Sequence, residues 1–173
     1  MSALTYRGPS LTTLHERYAK RHRIDDAAPV QARADATISA SPVEVWERLV
    51  DVAAWSTNLE PGVHNITVPN GVAVDAEFSR SIKGARLRAV FAVVEPACEL
   101  AWTGRSLGIK VVHRYTLEAV AQDRTRVVVE ESMAGPPLIV LINSAKLEMR
   151  LQQSLSLLRS VSETAACPVE DAR

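Results

Sequence analysis

The sequence predicts an α+β domain: a curved, seven-stranded antiparallel sheet wrapped around a long C-terminal helix, with two short helices after the first strand. Three observations predict it. Between His64 and Met133 the apolar residues recur with period two in six successive segments. A helix-start signature, Ser41-Pro42-Val43-Glu44, follows an earlier strand-like stretch, and a long apolar stripe of helical spacing follows Gly135-Pro136-Pro137.

Bulk properties agree with one domain. The chain has 173 residues, 47% hydrophobic and 23% charged, a length and balance ordinary for a single core. Twenty basic residues against twenty acidic ones leave no net field, so nucleic acid is not an expected partner. Met1 to Pro9 lacks the apolar core of a signal peptide, and the longest aliphatic run, Leu138 to Ile142, is too short to span a bilayer. Cys98 and Cys167 have no metal or redox spacing, which suits a reducing compartment, so a cytoplasmic location is expected.

Taken in order, residues 1–33 read as a basic helical arm with a linker. Leu11, Leu14 and Tyr18 form its apolar stripe over 11–23, among His15, Arg17, Lys20, Arg21, His22 and Arg23. The arm is either an appendage packed by that stripe or a contact for an acidic partner. His15 and His22 lie seven apart without further ligands nearby, and no metal site is expected. The domain proper is expected over 34–166, with 167–173 a flexible tail.

Ala34 to Ala40 reads as the first strand. Ser41 then caps a helix with Pro42 at its first position and Glu44 completing a capping box. Trp46, Leu49 and Val50 share its buried face, and a second short helical turn containing Trp55 ends at Pro61-Gly62. Trp46 and Trp55 read as packing residues. The six strands fall at roughly 64–69, 73–82, 86–95, 98–104, 109–120 and 125–133, joined by turns short enough for hairpins. Leu147, Leu151, Leu155 and Leu158 stripe the last helix, which runs to Ala166, while Lys146, Glu148, Arg150 and Arg159 fall elsewhere on it.

Alternation assigns the inner face. Val74, Ala76, Phe78 and Arg80 point inward from 73–82, and Leu87, Ala89, Phe91 and Val93 from 86–95. Leu100 and Trp102, then Ile109, Val111, His113, Tyr115 and Leu117, then Val127, Val129, Glu131 and Met133 complete the set. The turn Lys83-Gly84 pairs Arg80 with Leu87 and Ala76 with Phe91. Extended across the sheet, the registers put Val93, Leu100, His113 and Glu131 in one row, and Phe91, Trp102, Val111 and Met133 in the next.

His113 and Glu131 are the leading candidate site. A carboxylate beside an imidazole fixes its tautomer and raises its basicity, as acid/base catalysis requires. Tyr115 is placed to donate to a carbonyl or phenol oxygen, and Arg80, toward the other end of the sheet, to meet an anionic group at a cavity mouth. The plainer alternatives stay open: a His–Glu pair that only satisfies itself, an Arg80 that snorkels or pairs with an acid, a Tyr115 or Trp102 that only fills core. There is no G-x-S-x-G elbow, phosphate-binding glycine loop, G-x-G-x-x-G or H-E-x-x-H, which removes hydrolase, nucleotide and zinc-protease classes.

Particular segments carry a family resemblance. Ile38-Ser39-Ala40-Ser41-Pro42-Val43-Glu44-Val45-Trp46 with Asp51 and Trp55, then Glu99-Leu100-Ala101-Trp102-Thr103-Gly104, are the first two. Leu117-Glu118, and Arg126-Val127 leading into Glu130-Glu131-Ser132, are the others. Together, over about 34–165, they resemble polyketide cyclase/dehydrase-like members of the START/Bet v 1 (SRPBCC, helix-grip) superfamily. The resemblance implies a cavity between sheet and helix for a lipid, sterol, polyketide or aromatic compound. Some such relatives catalyse cyclisation or dehydration, and many only bind.

Two functions are therefore expected, and a third more weakly. The first is binding of a hydrophobic small molecule, with Arg80, Phe78, Phe91, Trp102, Val111, Val129, Met133, Leu147 and Leu151 as ligand contacts. The second is a cofactor-independent aromatase/cyclase or dehydratase using His113, Glu131 and Tyr115. The third is a protein-interaction adaptor, supported by the basic arm. No cofactor is expected, and a homodimer is left open.

Overall fold

The computed structural model describes residues 6–135 and 143–166. Strands β1 (Val30–Ile38), β2 (Val63–Thr67), β3 (Glu77–Ile82), β4 (Ala85–Glu95), β5 (Glu99–Ser106), β6 (Ile109–Ala121) and β7 (Arg124–Ala134) form one antiparallel sheet in the order β1-β7-β6-β5-β4-β3-β2. Helix α1 (Leu11–Arg17) precedes the sheet, α2 (Pro42–Val50) and the short α3 (Trp55–Asn58) follow β1, and α4 (Ser144–Ala166) closes the chain. This is the helix-grip arrangement, with a seven-stranded sheet around a long C-terminal helix. The aliphatic run Leu138 to Ile142 and the tail 167–173, with Cys167, lie outside the described residues.

The local signals work as their chemistry dictates. Ser41 Oγ accepts from Glu44 N while Glu44 Oε2 accepts from Ser41 N at 2.7 Å, a complete capping box with Pro42 at the first turn. The two-residue turns Lys83-Gly84 and Leu107-Gly108 have positive φ at both positions, the geometry that matches the twist of tight hairpins. The second turn is shorter than expected because β5 runs on to Ser106, opposite Ile109.

Leu147, Leu151, Leu155 and Leu158 of α4 pack with Ile38, Val45, Leu49, Phe91, Val127 and Val129 in the main core. A second, smaller cluster lies on the opposite face, where Leu14 and Ala19 of the arm cover Ala92 and Val112. The arm is thus packed by part of its apolar stripe against the sheet's outer face. Its helix stops at Arg17, short of the expected 23, and a single 3-10 turn over Ala19–Arg21 ends at His22 in a left-handed conformation.

Two strand starts and two registers differ from the sequence pattern. β1 begins at Val30, before Ala34, because Val30 and Ala32 continue the pairing with Met133 and Glu131. β3 begins at Glu77: Asp75 has φ 63, which breaks the strand and leaves Val74 51% exposed, not inward. A bulge in β4 moves Val93 opposite Ala101, on the outer face, and puts Val94 opposite Leu100. The tighter Leu107-Gly108 turn slides β6 along β5 by two residues. Trp102 faces His113 and Leu100 faces Tyr115, so Phe91, Trp102, His113 and Glu131 form one row where two were expected. The pairs Arg80–Leu87, Phe91–Trp102, Val111–Met133 and His113–Glu131 are as the sequence predicts.

Gly104 in β5 marks a close approach of strand to neighbour. A Cβ there would lie 2.9 Å from Leu87 Cδ1, 3.0 Å from Ala89 Cβ and 3.1 Å from the Arg88 carbonyl oxygen. Gly104→Ala is expected to cost about 1–3 kcal/mol through overpacking, checked by urea unfolding. A loss well under 1 kcal/mol would mean that β4 yields easily.

Candidate functional site

The site is built where the long central row meets α4. Glu131 is 2% exposed, and burial alone would raise the pKa of its carboxyl. Arg150, hydrogen-bonding His113 and the more distant Arg80 outweigh that and hold it at about 2. An ionised carboxylate only accepts, so His113 Nδ1, in contact with Glu131 Oε2, is the donor. His113 Nε2 makes no hydrogen bond among the described residues, and the ring borders a small chamber. Arg150 Nη2 of α4 donates to the other oxygen, Oε1, so Glu131 is held from both the sheet and the helix. In return the two glutamates raise the pKa of Arg150 above its ordinary value, Glu131 most strongly.

A second acid completes a chain of alternating charge. Glu60, just after α3, pairs through Oε2 with Arg80, and its Oε1 lies 3.9 Å from Arg150 Nη1. That Oε1 is buried and has no hydrogen-bond partner among the described residues. The Arg80 guanidinium lies over two indole rings, 5.6 Å from the Trp55 centroid and 5.5 Å from that of Trp102. Trp102 in turn stacks on His113 at 4.8 Å and 10° between planes. The order is therefore His113, Glu131, Arg150, Glu60, Arg80, with tryptophan faces closing the gap between Arg80 and His113.

Two chambers meet at these charges. The inner one, about 30 Å³, is bordered by Trp55, Glu60, His113, Tyr115, Glu131 and Ser154 among others, and has room for about one water. The outer one, about 190 Å³, is walled by Ile82, Leu87, Trp102, Val111, Met133 and the Leu107 turn. Glu60, Arg80, Trp102, Glu131 and Arg150 border both.

The expected residues divide between site and core. His113, Glu131, Tyr115, Arg80, Trp102 and Leu151 border the inner chamber, while Val111 and Met133 line the outer one. Phe78, Phe91, Val129 and Leu147 are core residues that line neither. Phe78 stacks on Phe91 at 4.5 Å and meets Trp55 and Trp102 edge to face. The Tyr115 hydroxyl is bonded to Ser154 Oγ at 3.1 Å, and its burial pushes its pKa up to about 12, so it stays protonated.

Arg80 does not stand alone at a mouth; it pairs with Glu60 and lies over Trp102, which the β5–β6 register in turn stacks on His113. Arg150, expected off the buried stripe, is a member of the site. It lies three residues after Leu147 and four before Ser154, on the flank of the buried face, and that spacing was the available signal. Trp55, expected as packing, both packs and borders the inner chamber. Glu60 carries no comparable mark, since it reaches the site only through the bend after α3.

The basic arm is occupied by its own sheet. His15 bonds Thr103 and Asp75, Lys20 pairs with Asp75 and Glu16, and His22 meets Glu99. His15, Glu16 and Asp75 have ligand atoms within 4.8 Å of one another, but the Lys20 ammonium already occupies the centre of that charge.

Residues 29–163 match the family model described as polyketide cyclase / dehydrase and lipid transport, and the chain belongs to that family. Among solved structures it is similar to a hypothetical protein from Helicobacter pylori, at 18% identity and TM-score 0.68, covering 94% of this chain and 99% of that one. It is also similar to the Zhui aromatase/cyclase from a Streptomyces species, at 12% identity and TM-score 0.65, covering 82% and 98%. A protein from Mesorhizobium loti aligns at 21% identity and TM-score 0.62, over 78% and 97%. At these identities the likeness concerns the fold. No curated protein matches the chain in sequence. No helix among the described residues is long and apolar enough to cross a membrane.

The Glu131 carboxylate links stability to pH. Its pKa in the fold, about 2, lies below the ordinary 4.5, so its contribution is fully present above about pH 4.5 and is lost as pH falls toward 2. A shift of that size corresponds to roughly 3 kcal/mol. Glu131→Gln is expected to lower the thermal midpoint at pH 7, with the gap to wild type closing between about pH 4.5 and 2. A gap that does not change with pH would show that the carboxylate charge contributes nothing.

Proposed function

We propose that this protein binds a small apolar molecule bearing one polar end. The apolar part occupies the outer chamber, and the polar end meets the charges between the two chambers. The observation that carries this reading is the buried Glu60 Oε1 at the inner end of an otherwise apolar pocket, which accepts no hydrogen bond among the described residues and has the Arg150 guanidinium only at 3.9 Å. A buried acceptor without a donor is costly, and a ligand hydroxyl or amine relieves it. An apolar cavity of about 150 Å³ takes benzene, so 190 Å³ suits a group of about one ring, or the end of a longer molecule. Membership of a cyclase and lipid-transport family supports a hydrophobic ligand.

Val111→Phe, which fills the outer chamber from its wall, is expected to reduce ligand retention by about tenfold or more. Native mass spectrometry of wild type and variant purified from the source organism checks it. Equal retention would place the ligand elsewhere.

His113 favours a second, catalytic reading. With Nδ1–H committed to Glu131, Nε2 is the ring nitrogen left facing the chamber, placed to take a proton next to a carbonyl and return it to a leaving hydroxyl. This is the proton bookkeeping of an aromatase/cyclase or a dehydratase, and it needs no cofactor. Tyr115, protonated and anchored on Ser154, orients but does not accept protons. If the site is catalytic, His113→Ala lowers turnover about 10²-fold or more while ligand affinity stays within about tenfold. Unchanged turnover leaves binding as the function.

A further inference from the structure

The outer face of the sheet is divided by the arm into two halves of different charge. On the β1 side, acid stands beside base throughout. Arg33 meets Glu130 at 3.2 Å, Arg114 meets Glu130 at 2.8 Å and Glu99 at 2.9 Å, and Arg126 meets Asp35 at 3.2 Å. On the hairpin side the pattern reverses. Arg88 of β4 stands directly opposite Arg105 of β5, which stands directly opposite Lys110 of β6.

Like charges directly opposed on neighbouring strands destabilise a sheet. Among the described residues neither Arg88 nor Arg105 forms an ion pair, and both are exposed. Lys110 donates to the Gly8 and Pro9 carbonyls, and burial together with Arg105 lowers its pKa. Lys83 and Arg86 extend the patch along the first hairpin. The chain as a whole is neutral, so this is a local segregation of charge and not a general excess.

The patch also has shape. A groove of about 470 Å³ runs beside it, with Leu11 and Pro69 as walls, Ala89 and Val90 in the floor, and Arg86 and Arg88 along one side. Arg86 holds Ser79 at 3.1 Å, and Glu77 is the carboxylate on the groove wall. Arginine forks match carboxylates with two parallel hydrogen bonds, whereas a concave groove matches projecting side chains.

We propose that this basic end of the outer face, centred on Arg88 and Arg105, docks an acidic segment of a partner protein. A flat lipid surface fits less well, since at the turns of these two hairpins Leu107 is the one large apolar side chain exposed among the described residues. The location has a consequence: the same hairpins, through Ile82, Ala85, Ser106 and Leu107, line the outer chamber. A docked partner therefore sits beside the chamber's wall. The docking does not depend on what the chamber holds.

The test is fluorescence anisotropy with a labelled decaglutamate peptide at low ionic strength. Wild type binds, and binding weakens as salt rises past the point where the Debye length falls below about 10 Å. Arg88→Ala/Arg105→Ala loses about tenfold in affinity, the scale of two exposed ion pairs. The control Arg33→Ala/Arg126→Ala, on the ion-paired half of the same face, stays within about twofold. Because the row is a cost to the fold, the Arg88/Arg105 variant melts at or above the wild-type temperature. The proposal is overturned by absent binding, equal loss in the control, or a lower melting temperature in that variant. It is also overturned if inorganic phosphate alone displaces the peptide completely, which marks a small-anion site. Binding of phosphatidylserine vesicles without peptide binding likewise assigns the face to lipid.

Discussion

A carboxylate buried as deeply as Glu131 has to be compensated, and the rest of the site follows from that requirement. It sits in the β7 strand, inside the sheet, where water cannot screen it. Two partners answer it: His113 from the adjacent strand and Arg150 from the helix across the core. The first is a product of strand register alone. The second is what ties α4 to the sheet through a charge as well as through leucines, and it sets which flank of the helix turns inward. Arg150 then lies against Glu60, and Glu60 holds Arg80, so one buried charge propagates a chain of three more. Specificity of packing is the gain; a core of hydrocarbon alone would leave the helix freer to rotate.

The same chain explains why the interior is neither a solid core nor an open hollow. Ion pairs hold long side chains across the space, while the indoles of Trp55 and Trp102 support Arg80 from its faces. What remains is a small inner chamber and a larger apolar one, with Glu60, Arg80, Trp102, Glu131 and Arg150 bordering both. The apolar side of the outer chamber is walled by Leu87, Val111 and Met133, and the charges lie at its inner end, which is the order the proposed ligand would meet them. The two proposed readings, binding and proton transfer, draw on the same geometry, and the Nε2 of His113 is the atom on which they diverge.

The outer face obeys a different rule. There the arm provides a second, thin hydrophobic layer over Ala92 and Val112, anchored at its edges by His15, His22 and Lys110. Covering the middle of the sheet leaves two charged margins. One is neutralised internally, and the other is left basic beside a groove. His15, Lys20 and His22 are spent on this attachment, while Arg17, Arg21 and Arg23 stay exposed.

Much of the fold was legible because its signals are local. Period-two alternation, the Ser41–Glu44 capping box, the Lys83-Gly84 turn and the leucine stripe each depend on residues within a few positions of one another. The His113–Glu131 pair was legible for a related reason, since one hairpin sets its register. The merging of the aromatic and polar rows was not, because it rests on how far β5 extends: the two-residue turn Leu107-Gly108 pairs Ser106 with Ile109 and slides Trp102 from Val111 to His113. The β4 bulge, which nothing local at Ala92-Val93 announces, moves only the pairings from Val93 to Glu95. Glu60 and Arg150 were hidden for a deeper reason. Sequence by itself determined which elements form and which faces they bury, since hydrophobic periodicity is a property of short segments. Only the tertiary structure decided that Glu60, Arg80, Glu131 and Arg150 share one buried space, because Coulomb partners are chosen by distance in three dimensions, and these four are brought together from β3, β7, α4 and the bend after α3.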